Sequence, residues 1–85
     1  MTRDQLIVSL NIFDAGLEGL SGSTWRLPEG QLPLTVFAGP QVKASGIVLV
    51  EIFASVDLLM VNDGTLSTVM ALSQVYAITT TPTDD

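Results

Sequence analysis

The hydroxyl side chains of this 85-residue chain have no base that could activate them. Serine and threonine act as nucleophiles when a neighbouring base removes the hydroxyl proton, and the chain contains no histidine and a single lysine, Lys43. Ser45 lies two residues from Lys43, a spacing that any residue in a turn shares with its neighbours. The chain has no cysteine, so thiolate chemistry is excluded as well.

The carboxylates are spaced too widely for paired acid–base catalysis. Glycoside hydrolysis needs two carboxylates about 5 to 9.5 Å apart, whereas Glu51 and Asp57 would be about 20 Å apart on an extended strand. Residues 62–64, Asn-Asp-Gly, lack the alternating aspartates of a calcium loop. The glycines between residues 16 and 22 match neither phosphate-binding motif. We therefore expect no catalytic, metal-binding or cofactor-binding residue, and a protein that is not an enzyme.

The composition indicates that other protein molecules cover much of the surface of this chain. Hydrophobic residues make up 47% of the chain and charged residues 14%, whereas soluble domains carry about 25% charged residues. A membrane span does not explain this, because the best candidate, residues 47–61, contains Glu51 and Asp57 and is shorter than the roughly 20 apolar residues a span needs. We expect a homo-oligomer or a component of a larger assembly, and no membrane span.

The charge is acidic and uneven. All three basic residues, Arg3, Arg26 and Lys43, precede residue 44, and no base follows them. A net charge of -6 disfavours nucleic acid as a partner and is compatible with a basic protein partner. The first residues lack the apolar core of a secretory signal, so we expect a soluble protein, with a virion and the host cytoplasm both open as its location.

The strand patterns predict one all-β domain over residues 1–85, either a small barrel or a two-layer sandwich of about five mostly antiparallel strands. Residues 5–13 alternate as a strand does, although a helix that begins at Thr2 is the alternative, since Leu6, Leu10 and Phe13 also have helical spacing. Residues 31–39 predict a strand at a sheet edge or at a bulge, because Pro33 cannot donate a ladder hydrogen bond.

Residues 47–61 and 65–79 predict a long C-terminal β-hairpin around the turn at 62–64. A three-residue loop would place Val61 opposite Thr65. Fifteen extended residues reach about 50 Å, far more than a domain of this size spans. The strands must therefore bend, with residues 54–55 the expected place, or project into a neighbour.

One face of the last predicted strand carries no charge, which makes it the first candidate for a partner contact. Its members alternate along residues 67–77: Ser67, Val69, Ala71, Ser73, Val75 and Ala77. We select Val69, Ala71, Val75 and Ala77 as the contact residues. The polar tail, residues 79–85, follows.

The irregular glycine-rich loop, residues 14–30, holds the second candidate. Trp25 and Arg26 are residue types enriched at interface hot spots. The alternative is that Trp25 caps the core, with Leu17, Leu20 and Leu27 beneath it.

These features favour a non-enzymatic structural protein that assembles with itself or with a larger particle, and a capsid-decorating or accessory virion protein is one protein of that kind. The first alternative is an acidic adaptor or inhibitor that binds a basic protein. The second is a small-molecule-binding β-barrel, although we expect no small-molecule ligand.

Overall fold

The computed structural model describes residues 1–19 and 22–81. In chain order, the elements are α1 (Arg3–Ile12), β1 (Gly16–Glu18), β2 (Thr24–Arg26), β3 (Leu34–Ala38), β4 (Val42–Ile47), β5 (Leu49–Phe53), a first 3-10 turn (Ala54–Val56), β6 (Leu58–Asn62), β7 (Ser67–Ala71), a second 3-10 turn (Leu72–Gln74) and β8 (Val75–Thr80). The strands form a sheet of order β1-β2-β5-β6-β7 and a sheet of order β4-β3-β8, with antiparallel pairing throughout.

The predicted all-β fold is confirmed as a small, sandwich-like arrangement of two sheets. Neither sheet closes on itself, so the barrel alternative is wrong. The expected strand number, about five, is too low, since the described part of the chain forms eight short strands. The difference arises because turns divide the long alternating segments into shorter strands.

The predicted strand at residues 5–13 is wrong, because this segment forms helix α1. A capping box begins the helix: the Gln5 amide donates to Thr2 Oγ1 at 3.1 Å, and the Thr2 amide donates to Gln5 Oε1 at 2.9 Å. Leu6 and Leu10, one helical turn apart, are buried, whereas Val8 and Ile12 are exposed. The strand interpretation had placed all four on one face.

The buried apolar side chains form one cluster between the sheets and beneath α1, within the part of the chain that the structure describes. Its members are Leu6, Leu10, Ala15, Trp25, Leu27, Leu34, Val36, Ala38, Ala44, Ile47, Val50, Ile52, Leu59, Val61, Met70, Leu72 and Val75.

The predicted 47–61/65–79 hairpin is wrong as a single long ribbon, although its bend lies where we expected it. The chain folds back at the first 3-10 turn, so that β5 pairs with β6. At the second 3-10 turn it leaves that sheet, so that β8 pairs with β3. Asp57 joins the two turns: its carboxylate accepts hydrogen bonds from the Ser73 amide at 2.8 Å and the Ser73 hydroxyl at 2.6 Å.

The loop between β6 and β7 has four residues, 63–66, instead of the predicted three. Asn62 lies opposite Ser67 and Val61 opposite Thr68, rather than Thr65. The Asp63 carboxylate holds this loop, because its Oδ1 accepts from the Leu66 amide at 2.7 Å and the Thr65 amide at 2.8 Å. The longer loop places Met60 opposite Val69, which decides the composition of the outer sheet face.

Because of the same two amides, the stability of the protein depends on pH. They lower the pKa of the Asp63 carboxyl, with the Leu66 amide as the larger cause. A lowered pKa in the folded state means that ionised Asp63 stabilises the fold above its unfolded pKa, about 3.9, and that this stabilisation is lost as the pH falls through the folded value. We expect Asp63→Asn to be less stable than the wild type at pH 7, and this difference to shrink at pH 2.5.

Urea denaturation at the two pH values measures this effect. Glu29→Gln is the matched control, since Glu29 is exposed in a loop, and it should follow the wild type at both values. A difference between Asp63→Asn and the wild type that is equally large at both pH values would contradict the role of the ionised carboxylate.

Candidate interaction surface

Two adjacent rows of cross-strand neighbours build an apolar area on the outer face of the five-stranded sheet. In the first row, Phe53 lies opposite Leu58 and Leu58 opposite Ala71; in the second row, Met60 lies opposite Val69. Residues opposite each other in an antiparallel sheet share a face. We call these five residues the apolar patch.

The alternation of the strands shows that the patch faces outward. Leu59, Val61 and Met70 lie between patch residues along the chain, and all three are buried in the core. Phe53 is 40% exposed, Leu58 38% and Val69 60%, and the other two patch residues are half-buried. Fully burying one such side chain contributes about 1.5–3 kcal/mol. Covering the patch with another molecule would therefore stabilise the resulting complex.

Polar residues border the patch on two sides. Glu51 lies opposite Met60 on β5, and Thr24 lies opposite Glu51 on β2. The next row contains Asn62 and Ser67, whose side chains are hydrogen-bonded at 2.8 Å. The patch is therefore an uncharged area with a carboxylate at its β5 border, which resembles the apolar centre and polar rim of protein interfaces.

The basic side chains contact groups other than the five patch residues, although Arg26 lies on the same outer face, in the row of Asn62. The Arg26 Nε donates to both Glu18 carboxylate oxygens at 3.0 Å. The Lys43 Nζ lies 5.9 Å from the centre of the Phe37 ring, on the other sheet. Arg3 lies 3.8 Å from the Asp4 carboxylate. None of these contacts places a positive charge beside the five patch residues.

Two acidic residues in the second half of the sequence stabilise turns of this chain by accepting hydrogen bonds. Asp57 accepts hydrogen bonds from Ser73, and Asp63 accepts from the amides of its own loop. Glu51 lies at the border of the patch. These three carboxylates lie at separate places in the fold, Asp84 and Asp85 lie outside the described residues, and the acidic adaptor stays a prediction.

The two residues predicted from the glycine-rich loop have different positions. Trp25 is 5% exposed, and its strand neighbours are Leu17 and Val50, so the alternative that it caps the core describes its position. Leu27 is also buried, Leu17 is exposed, and Leu20 lies outside the described residues. Arg26 is exposed but is hydrogen-bonded to Glu18.

The predicted continuous face from residue 67 to residue 77 is wrong, because the second 3-10 turn divides it between the two sheets. Val69 and Ala71 belong to the apolar patch. Val75 is 2% exposed and belongs to the core. Ala77 lies opposite Phe37 in the other sheet. Val69 and Ala71 therefore stay predicted partner contacts.

The sequence analysis does not select Phe53, Leu58 or Met60 as contact residues. A single alternation through residues 47–61 would place Leu58 and Met60 on the same face as the buried Val50 and Ile52. The first 3-10 turn, Ala54–Val56, shifts the alternation by one residue, so that Leu59 and Val61 face the core and Leu58 and Met60 face outward. The sequence contained a signal for the reversal: the strand was too long for the domain, and the expected bend lay at this turn.

The structure also has two open grooves. One, of about 630 Å³, lies between α1 and β8 and is lined in part by Val8, Ser9 and Tyr76. The other, of about 440 Å³, lies beside β1 and is lined in part by Asp14 and Glu18. In residues 1–19 and 22–81, no three potential metal ligands cluster, and no helix is long and apolar enough to cross a membrane.

Comparison with protein-family models, with curated proteins and with solved structures finds no match to this chain. The function is therefore inferred from the geometry of the surface.

Proposed function

We propose that this chain is a non-enzymatic structural protein that assembles with itself through the apolar patch. The observation that supports the proposal is the juxtaposition of Phe53, Leu58, Met60, Val69 and Ala71 on one outer sheet face. The same contact can build a closed oligomer or place copies of the chain side by side on a larger particle, such as a virion.

The size of the molecule is compatible with such an interface. A standard interface covers about 800 Å² on each partner, which is roughly a sixth of the accessible surface of 5127 Å². The patch would form its centre, and the polar row of Asn62 and Ser67, together with Glu51, would form part of its rim.

The net charge favours an uncharged contact. Two copies that each carry a charge of -6 repel one another at long range, and a contact without carboxylates adds least to that repulsion. Salt screens the remaining repulsion over a Debye length of about 8 Å at physiological ionic strength. Self-association should therefore be unchanged or slightly stronger at high salt.

A pair of lysine substitutions tests the proposal. Val69→Lys places an ammonium within the patch, where contact with a second copy would have to desolvate it. We expect it to raise the dissociation constant for self-association at least about 100-fold, which corresponds to about 2.7 kcal/mol. Sedimentation velocity over a concentration series measures the constant.

Leu66→Lys is the matched control. Leu66 is 69% exposed against 60% for Val69, both residues are apolar, and both substitutions change the net charge equally. Leu66 lies in the loop before β7, outside the patch rows. Equal weakening by the two variants, or weakening by neither, would contradict assembly through the patch.

A further inference from the structure

Strand β7 is an edge of its sheet: in the described part of the chain it pairs with β6 on one side and with no strand on the other. The Asp63 amide donates to the Leu66 carbonyl at 3.1 Å, and the Leu72 amide donates to the Asp57 carbonyl at 3.0 Å. These bonds flank the β6–β7 ladder. Because hydrogen-bonded pairs alternate along antiparallel strands, Thr68 and Met70 bond to β6.

The backbone groups of the intervening residues consequently face the open edge. These are the N–H and C=O groups of Ser67, Val69 and Ala71. Their side chains lie on the outer face, two of them within the apolar patch. The open edge and the patch therefore adjoin each other along β7.

This edge lacks the devices that normally prevent strands from pairing between molecules. Exposed edges usually carry a lysine, another charge or a proline. Of the three other edge strands in the described residues, β1 contains Glu18 and β4 contains Lys43, whereas β8 is also uncharged but belongs to the other sheet, away from the apolar patch. Strand β7 has the sequence Ser-Thr-Val-Met-Ala, without charge, proline or glycine.

We infer that two copies of this chain dimerise by antiparallel pairing of their β7 strands about a two-fold axis. This inference rests on the proposed function and specifies its partner and its geometry. A two-fold axis makes the contact self-complementary, because each strand offers the same donors and acceptors. The register that pairs all five residues places Val69 opposite the partner's Val69, and Ser67 opposite the partner's Ala71.

In this register the two apolar patches join across the axis into one continuous area. Glu51 is the acid at the patch border, two strands away from β7. With strands about 4.8 Å apart, it lies about 24 Å from the partner's Glu51. That distance is about three Debye lengths at physiological salt, so the repulsion between these carboxylates is largely screened.

Cysteine cross-linking tests the register, since the chain has no native cysteine. Opposed residues of a hydrogen-bonded pair have Cα atoms about 5.5 Å apart, which lies within the range of about 4.4–6.8 Å for disulfides. Val69→Cys oxidised with diamide should therefore form a covalent dimer. The matched control, Leu66→Cys, should form no disulfide-linked dimer, because the two positions would be about 20 Å apart. Preferential cross-linking of Thr68→Cys would overturn the register.

A proline substitution separates edge pairing from packing of the face. The Val69 amide faces the edge, so Val69→Pro removes a donor from the proposed dimer and none from the β6–β7 ladder. We expect the dissociation constant to rise at least about 100-fold, with a circular dichroism spectrum like that of the wild type. Should the proline variant misfold, the cysteine result decides alone.

The outcomes distinguish the two proposals. If Val69→Lys dissociates the protein, but Val69→Pro remains associated and Val69→Cys does not cross-link, edge pairing is overturned and the patch remains the interface. If Val69→Lys and Val69→Pro both associate like the wild type, both proposals are overturned. If Val69→Lys and Val69→Pro both dissociate the protein and Val69→Cys cross-links, assembly through the patch and edge pairing are both supported.

Discussion

Trp25→Ala is expected to lower the free energy of unfolding by about 3–5 kcal/mol, the usual cost of removing a large buried aromatic side chain. Trp25 is 5% exposed at the centre of β2 and lies in the core cluster. Since a domain of this size is stable by only about 4–13 kcal/mol, the loss is a large fraction of the total stability. Urea denaturation measures the loss. It is followed by circular dichroism and not by tryptophan fluorescence, because the variant lacks the chain's single tryptophan.

Arg26→Ala is the control at the adjacent position. Its guanidinium is paired with Glu18 at 3.0 Å, but both side chains are about half-exposed, and exposed ion pairs contribute at most about 1 kcal/mol. A Trp25→Ala protein with wild-type stability and impaired self-association would contradict the core position and favour the hot-spot interpretation.

Leu10→Ala is expected to cost about 2–5 kcal/mol, because Leu10 is 1% exposed and its truncation leaves a cavity between α1 and the sheets. Val8→Ala should change stability by less than about 0.5 kcal/mol, since Val8 is 59% exposed on the opposite side of the helix. Denaturant titrations at one fixed protein concentration compare the two, because self-association also contributes to apparent stability.

This pair of variants distinguishes a helix from a strand at residues 3–12. On a strand, Val8 and Leu10 would share a face, and the two truncations would have similar effects. Similar losses of stability for Val8→Ala and Leu10→Ala would therefore contradict helix α1 and its capping box.

The alternation of apolar and polar residues predicts the fold class and the uncharged character of Val69 and Ala71. The alternation does not predict the residue at which the inward-facing and outward-facing positions exchange. At Asp57, φ is 55°, a left-handed conformation that a non-glycine residue rarely adopts, and a contact with the distant Ser73 supports it. Such a contact between residues far apart in sequence leaves no periodic signal, so an unbroken alternation puts Leu58 and Met60 on the wrong face.

Helix α1 shows the opposite case, in which a local signal was present and was given too little weight. Thr2 and Gln5 have the spacing of a capping box, and Leu6 and Leu10 have helical spacing. The β-branched residues between them, Ile7 and Val8, favoured a strand on propensity alone. The cap and the burial of two leucines decide the conformation, because tertiary packing outweighs propensity in a segment of ten residues.

The register of β7 depends on a single carboxylate. The Asn-Asp-Gly turn predicted a loop of three residues, whereas the hydrogen bonds from the Thr65 and Leu66 amides to Asp63 stabilise a loop of four. That choice places Val69 beside Met60 and thereby creates the second row of the apolar patch. The candidate site therefore depends on a loop length that the hydrophobic pattern leaves open.

The central claim, self-assembly through an uncharged face, is tested most directly by the absolute mass of the purified protein from light scattering after size exclusion, at 50 mM and 500 mM salt. We expect a mass of at least twice the 9.0 kDa of the chain at both salt concentrations. A monomeric mass at both, at protein concentrations up to about 1 mM, would contradict the claim.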